Sequence, residues 1–221
     1  MKGMFVQHTE RTTVRRHPER AAYDADVIHG ILDAGIICHV GFLHDGWPFV
    51  IPSNYARSND TIYLHGSPES RMIRALAAGA PACITVTHLD GLVLARSAFG
   101  HSANFRSAVV LGHGRHVTDA DEKGEALRLI VEQVVPGRAA EARGPSAKEL
   151  QATMVVAVDV EEASAKIREG GPKDPAEDRA LNVWAGVLPF ALVPGEPLAE
   201  PDLAQHIGLP DYVRHYRRSP Q

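Results

Sequence analysis

The chain has 221 residues, of which 44 % are hydrophobic and 23 % are charged, and these are ordinary values for a soluble globular protein. Its net charge of −4 at pH 7 gives no reason to expect a nucleic acid or an anionic membrane as a partner. No apolar run has the length of a membrane span, and charges occur where a signal peptide has its apolar core, so we expect a cytoplasmic protein. Cys38 and Cys83 lie in apolar runs, as buried free thiols do.

The first half of the chain predicts one helix followed by a series of strands. Residues 1–22 are polar and rich in arginine, and we predict an arm that lies over the rest of the fold. Asp24 can cap a helix that runs through Ala34, because apolar residues recur there at helical spacing. The predicted strands, each bounded by turn residues, are 36–43, 47–55, 61–65, 82–88 and 92–97, with turns at 44–46, 58–61 and 89–91.

A second helix is predicted from Pro68 to about Ala78, with Ser67 as its N-cap and Gly66 allowing the sharp turn before it. Further along, residues 106–117 form a long predicted strand, and Gly112 and Gly114 indicate a bulge or the close approach of another backbone.

The last predicted elements are two helices and a strand. Asp119 or Asp121 caps a helix, and Ser146 with Glu149 forms a capping box that opens a shorter one. The last predicted strand is Met154 to Val160. Six or seven mostly hairpin-linked strands with helices between them predict an α+β fold, a closed or nearly closed antiparallel barrel with peripheral helices. We predict one domain over residues 1–221, with an arm at about 1–22 and an irregular tail at about 193–221.

The start of the second helix carries the polar groups that an anion needs. A helix N-terminus attracts anions through its unpaired N–H groups, and here it also carries Ser67, Ser70 and Arg71. An arginine in the first turn is unfavourable for the helix alone, and a bound phosphate would explain it. An ordinary capped surface helix with an exposed arginine explains the same residues, so both interpretations stay open.

The runs WPFVIPSNYA and IYLHGSPESRM resemble the FMN-binding split β-barrel family, which includes pyridoxamine 5′-phosphate oxidase and nitroimidazole-resistance proteins. The resemblance covers most of Arg15 to Phe190 and rests on the order of its motifs. It implies a split barrel in which the isoalloxazine lies along the strand 47–55 and the phosphate lies at the start of the second helix, at Ser70 and Arg71. Met72 stands where the oxidase usually has a lysine.

The resemblance also implies that Ser107 reaches the FMN phosphate and that Trp184 covers a flavin, often that of the neighbouring subunit. Taken without it, Arg106 is a solvated strand residue, His65 a half-exposed strand histidine, and Trp184 a residue filling the edge of the core; these alternatives stay open. We predict no metal site, and no catalytic side chain is identified. The predicted cofactor-binding residues are Ile51, Pro52, Ser53, Asn54, His65, Gly66, Ser67, Ser70, Arg71, Met72, Arg106, Ser107 and Trp184.

The function implied is that of an FMN-dependent oxidoreductase, a homodimer with two flavins in its interface, which transfers hydride between a reduced nicotinamide or another donor and a small substrate. Oxidation of pyridoxamine phosphate itself is disfavoured by Met72 and by the absence of a C-terminal R-x-H pattern. The alternative is a haem-binding or non-catalytic flavin-binding split barrel, because some split barrels bind haem through a single histidine.

Overall fold

The computed structural model describes residues 8–218. Its helices are α1 (Ala25–Ala34), α2 (Arg71–Ala77), α3 (Ala120–Val134), α4 (Ala147–Ala152) and α5 (Asp211–Arg214). The strands of the described residues are β1 (Ala21–Ala22), β2 (Ile37–His44), β3 (Trp47–Asn54), β4 (Ala56–Ser58), β5 (Thr61–Gly66), β6 (Pro81–Leu94), β7 (Ser102–His116), β8 (Met154–Asp159), β9 (Glu162–Arg168) and β10 (Gly186–Pro189). Single turns of 3₁₀ helix lie at Pro18–Arg20, Ala98–Gly100, Arg138–Ala140 and Glu177–Ala180.

The long strand β7 organises the sheet. The strand order is β3-β2-β6-β7-β8-β5-β4, and each pair is antiparallel. On its other side β7 is shared, pairing with β9 through residues 105–111 and with β8 through residues 114–116. The sheet divides at this point, and α1 and α2 pack against the same core. The predicted α+β antiparallel split barrel with peripheral helices is confirmed.

Distant side chains close the C-terminal end of α1, where a helix leaves carbonyl groups unpaired. The hydroxyl of the fully buried Tyr55 donates to the carbonyl oxygen of Leu32. The Gly35 carbonyl oxygen accepts from Gln133 Nε2 at 2.7 Å and from Arg218 Nη1 at 2.8 Å. As a result, α3 and the C-terminal segment are both anchored on α1.

Two glycines of β7 allow close backbone approaches, as the sequence predicted. A Cβ atom on Gly112 would overlap the carbonyl oxygen of Asp159, and one on Gly114 would overlap that of Leu76. Gly114 N also donates to the Ala80 carbonyl oxygen at 3.1 Å. The absence of side chains therefore lets α2 and β8 pack directly on β7.

The helix caps follow local sequence closely. The Asp24 side chain accepts from the amides of the first turn of α1, and Asp119 does the same for α3. Ser146 and Glu149 form both bonds of the capping box of α4. These three predictions are confirmed.

The predicted start of α2 is wrong by three residues. Its N-cap is Ser70 instead of Ser67, and the first helical residue is Arg71 instead of Pro68. Ser67 belongs to a preceding turn, in which its hydroxyl accepts from Glu69 N and its carbonyl from Ser70 N. Both serines suit an N-cap, so the sequence alone did not distinguish them.

Several strand boundaries differ from the prediction because partner strands set them. Residues 81–94 form one strand with a bulge between Leu89 and Gly91, where a turn was predicted. A Cβ atom on Gly91 would lie 2.8 Å from the Leu188 carbonyl oxygen of β10, so the glycine serves strand packing. Strand β7 begins at Ser102, and β9 was missed because alanine, glutamate and lysine are poor strand formers.

The described part of the arm, residues 8–22, lies against β9. Thr9 and Arg11 bond to the Glu162 carboxylate, and Lys166 Nζ donates to the Arg16 carbonyl oxygen at 3.0 Å. Residues 1–7 and 219–221, which the predicted arm and tail include, lie outside the described residues, and the single domain stays a prediction. Within residues 8–218 no helix has the length and apolarity needed to cross a membrane.

Candidate functional site

Strand β3 presents a free edge. Asp45 and Gly46 have φ values of 50° and 75°, which is the left-handed pair of a tight hairpin turn, and they fold β3 back on β2. Because β3 stands at the end of the strand order, its other edge has no strand partner among the described residues. Ile51 packs on the core and Pro52 is exposed.

The two polar side chains at the end of β3 already have partners. Ser53 Oγ donates to the Asn54 carbonyl oxygen at 3.0 Å, and Asn54 Nδ2 donates to the Ile36 carbonyl oxygen at 3.3 Å. Both residues remain at the predicted place, with their donors engaged.

Arg71 is exposed at the first turn of α2, next to the capping hydroxyl of Ser70. Its guanidinium carbon lies 4.6 Å from the centroid of the Phe49 ring on β3. This cation–π contact fixes the side chain over the strand edge. Within residues 8–218 the guanidinium of Arg71 forms no ion pair, so its charge remains available to an anion.

Met72 and Gly66 both contribute to the packing of α2. The Met72 side chain is buried among core residues, which leaves its backbone amide for a ligand, and its part in cofactor binding stays a prediction. A Cβ atom on Gly66 would lie 3.0 Å from Ile73 Cγ1, so the glycine lets α2 pack on the end of β5. Ser67 is exposed in the turn between them.

His65, near the end of β5, faces a pocket of about 540 Å³ between α3, the segment 138–145 and α4. Its Nδ1 atom is buried and has no hydrogen-bond partner among the described residues. Burial lowers the pKa of His65 below its usual value, because the charged imidazolium loses hydration. The ring is therefore held more readily in its neutral form, which can donate an electron pair.

Arg106 and Ser107 lie in the middle of β7, whereas the sequence predicted them at its start. Arg106 binds the Asp90 carboxylate through Nε at 3.0 Å and Nη2 at 2.9 Å, and it lines a pocket of about 260 Å³ with Phe190 and Arg218. Ser107 Oγ donates to the Lys166 carbonyl oxygen at 3.3 Å.

Trp184 is 66 % exposed and precedes β10, whose Gly186 pairs with Leu94 at the end of β6. It does not fill the edge of the core. Trp47 is 72 % exposed at the start of β3.

The predicted residues form two groups that one chain does not bring together. Residue 82 of β6 pairs with Gly112, close to α2, whereas Leu94 pairs with Gly186 beside Trp184. At about 3.3 Å per residue, residues 82 and 94 are separated by about 40 Å measured along β6, which is the upper bound of their distance. Ser107 pairs with residue 87, about 16 Å along β6 from residue 82. Within one chain Trp184 therefore lies at the opposite end of β6 from Arg71, and Ser107 lies beside the middle of this strand.

The sequence analysis did not identify the Phe49 ring under Arg71 or the residues of α3 that line the His65 pocket. Phe49 could have been found from the alternation of Trp47, Phe49 and Ile51 along β3. The pocket contains Gly124, Leu127 and other residues of α3. The signal available was a glycine inside a helical pattern, which usually has a packing or functional reason.

Comparison with known proteins identifies the family of this fold and site. A family model described as pyridoxamine 5′-phosphate oxidase matches residues 24–167. The chain belongs to this family. No curated protein matches the chain.

Three solved structures are similar to this chain. The flavocytochrome Anf3 from Azotobacter vinelandii is 39 % identical, with a TM-score of 0.88 over 95 % of this chain and 97 % of that one. The FAD and haem binding protein from Mycobacterium smegmatis is 38 % identical, with a TM-score of 0.84 over 88 % and 96 %. A protein assigned to 5-nitroimidazole antibiotic resistance in Bacteroides thetaiotaomicron is 28 % identical, with a TM-score of 0.57 over 66 % and 86 %.

Proposed function

We propose that the protein is a flavin-binding oxidoreductase whose flavin phosphate lies at the start of α2. The observation that carries the proposal is Arg71, an exposed guanidinium held over Phe49 with no ion pair among the described residues. The Ser70 cap and the free edge of β3 lie beside it. A flavin nucleotide matches this set, because it joins a flat ring to a phosphate.

The bound flavin is proposed to be FAD. The resemblance of the sequence implied FMN, and the 38 % identical relative is described as binding FAD. Both nucleotides carry a phosphate next to the ribityl chain, so Arg71 has the same role with either one. Acid release of the flavin from purified protein, followed by chromatography, distinguishes the two. A colourless protein that binds neither FAD nor FMN would contradict the proposal.

We propose that the flavin site lies between two copies of the chain. Support comes from the length of β6, about 40 Å along the strand, because Trp184 and Arg71 lie at its opposite ends within one chain. Large apolar side chains are exposed along the edge of the sheet and in the late segment, among them Leu43, Trp47, Val50, Trp184 and Leu188. A second copy would cover such surfaces.

Light scattering of the flavin-loaded protein should give twice the mass of one chain. A monomer that still binds flavin tightly would contradict the interfacial site while leaving the Arg71 contact intact.

The proposed reaction is the transfer of a hydride from a reduced nicotinamide, or from another donor, to a small acceptor. The bound flavin supplies this chemistry by taking up and releasing two electrons, and the protein needs no nucleophilic side chain for it. This chain's residues hold the phosphate and orient the ring along β3. Oxidation of pyridoxamine phosphate is not proposed, because Met72 is in the core and adds no lysine-like phosphate contact.

Anaerobic addition of NADH or NADPH to the flavin-loaded protein tests the donor, with bleaching of the flavin absorption as the expected result. If neither nicotinamide bleaches a flavin that dithionite reduces, the nicotinamide donor is wrong.

We propose that the protein binds haem as a second group together with the flavin. The two relatives that share 38–39 % identity are described as a flavocytochrome and as an FAD and haem binding protein. The observation that favours haem in this chain is His65. Its ring faces a large pocket, and its buried Nδ1 atom has no hydrogen-bond partner among the described residues. The purified protein should show a Soret band as well as flavin absorption.

A further inference from the structure

The His65 pocket has an apolar wall and a rim of arginines that are paired with glutamates. Leu127, Ile130 and Val131 of α3 form one wall, and the segment 138–145 and the start of α4 form the other. The pocket measures about 540 Å³, within the range of about 300–1,000 Å³ that is usual for cofactor sites. Val131 is 38 % exposed although it is apolar, so α3 presents to this space more apolar surface than the described chain covers.

His65 carries the only imidazole among the residues that line this pocket. Its Nδ1 atom is buried without a partner among the described residues, whereas Nε2 is not among the buried atoms and has no bond there. Buried polar atoms normally have a hydrogen-bond partner, so an unpartnered imidazole beside an apolar pocket calls for an explanation. Nε2 is the ring nitrogen that is not buried, so it is the atom that a metal in the pocket could reach.

Gly124 gives an independent indication of a flat ligand. It lies within α3, where glycine is unfavourable relative to alanine. A Cβ atom at this position would meet no atom of the described chain within 4 Å, so packing inside the chain does not require glycine. Gly124 lines the same pocket as His65, and the missing side chain leaves room over the helix for a ring.

Three arginines stand at the pocket: Arg128, Arg138 and Arg143. Arg128 pairs with Glu125, and Arg143 with Glu149, each with Nη2 at 2.7 Å from a carboxylate oxygen. All these side chains are about half exposed or more, and ion pairs of this kind contribute little to stability. They can therefore exchange a protein carboxylate for a ligand carboxylate at small cost, and arginine binds carboxylates in a bidentate manner.

We infer that this pocket is a non-covalent haem site in which His65 Nε2 is an axial ligand and the propionates meet the arginine rim. The assignment rests on the proposed binding of haem and is independent of the flavin site at Arg71. Covalent attachment is excluded by the sequence, because its two cysteines, Cys38 and Cys83, do not form a C-x-x-C-H motif. A planar, mostly apolar ring with two carboxylates matches the apolar walls, the open space over Gly124 and the arginines of the rim.

The experiment titrates the flavin-loaded protein with hemin and follows the Soret band in the wild type, His65→Gly and His113→Ala. His113 is an exposed histidine on β7 that pairs with Glu161, so its variant is the matched control. Changes in groups around a metal ligand already cost about 10- to 100-fold in affinity, so losing the ligand should cost at least about 100-fold. Added imidazole should restore the wild-type Soret position in His65→Gly, which a merely structural role of His65 would not produce.

A second variant separates loss of haem from loss of fold. Gly124→Leu fills the open space and improves helix propensity, so its thermal midpoint should stay the same or rise while haem binding is lost. Flavin absorption should be unchanged in both variants.

Several outcomes would overturn the assignment. It fails if His65→Gly keeps the wild-type affinity and spectrum, or if Gly124→Leu binds haem as the wild type does. Loss of flavin instead of haem in His65→Gly would show that the pocket holds the adenine part of FAD. A wild-type protein that binds no hemin would remove the haem proposal together with this site, and the flavin proposal would stand.

Discussion

Replacing Arg71 by alanine should weaken the binding of FMN and FAD far more than that of riboflavin, which has no phosphate. In the structure the guanidinium is exposed, has no ion pair among the described residues, and makes a cation–π contact with Phe49 at 4.6 Å. Losing an exposed contact of this type costs about 0.5–1 kcal/mol, so the variant should remain folded.

The size of the effect follows from the phosphate contact. A hydrogen bond to a charged group contributes about 1.5–3 kcal/mol, so affinity for the two nucleotides should fall about 10- to 100-fold. Calorimetric titration of flavin-free protein with FMN, FAD and riboflavin measures all three affinities. Arg71→Lys should recover only part of the loss, because lysine keeps the charge and lacks the bidentate geometry.

Arg74→Ala is the matched control, since Arg74 is also exposed and lies one turn further along α2. It should leave all three affinities nearly unchanged. The reasoning is refuted if Arg71→Ala weakens riboflavin as much as FMN, or if Arg74→Ala has the same effect as Arg71→Ala.

Two further predictions concern the second copy and the barrel. Trp184→Ala should weaken flavin binding modestly, because stacking contributes about 0.5–1.5 kcal/mol, and it should raise flavin fluorescence. Trp184→Phe should restore most of the affinity. Loss of fluorescence quenching in Trp47→Phe alone would show that the wrong tryptophan was assigned. Gly114→Ala should lower the free energy of unfolding, measured in urea, by about 1–3 kcal/mol, because its Cβ atom would overlap the Leu76 carbonyl. Gly144→Ala should change it little, because no atom of the described residues lies within 4 Å of the added Cβ, and equal effects would contradict the close approach.

Local chemistry explains which parts of the fold could be predicted. Asp24, Asp119 and Ser146 cap their helices through amides two or three residues away, and the turn at residues 44–46 needs only its own backbone conformation. Such signals act within one turn, so they can be read from a short stretch of sequence. Where two equivalent signals lie close together, as at Ser67 and Ser70, the sequence does not decide between them.

The arrangement of the candidate sites depended on strand pairing. Arg106 and Ser107 are mid-strand because β6 and β9 pair with β7 beyond the predicted boundary. Strand β9, which is rich in alanine and charged residues, is a strand because β7 and β1 pair with it. Register across a sheet is set by side chains on other strands, so a single stretch contains little information about it.

The sequence by itself determined the fold class, most helix caps, the β2–β3 hairpin and the polar start of α2, since each of these follows from residue type and short-range spacing. Only the tertiary structure decided that Arg71 stacks on Phe49, that Trp184 lies at the far end of β6, and that His65 faces Gly124 across a pocket. These relations join residues that are distant in the chain. They arise from the pairing of long strands and the packing of helices on them, which local propensity does not specify.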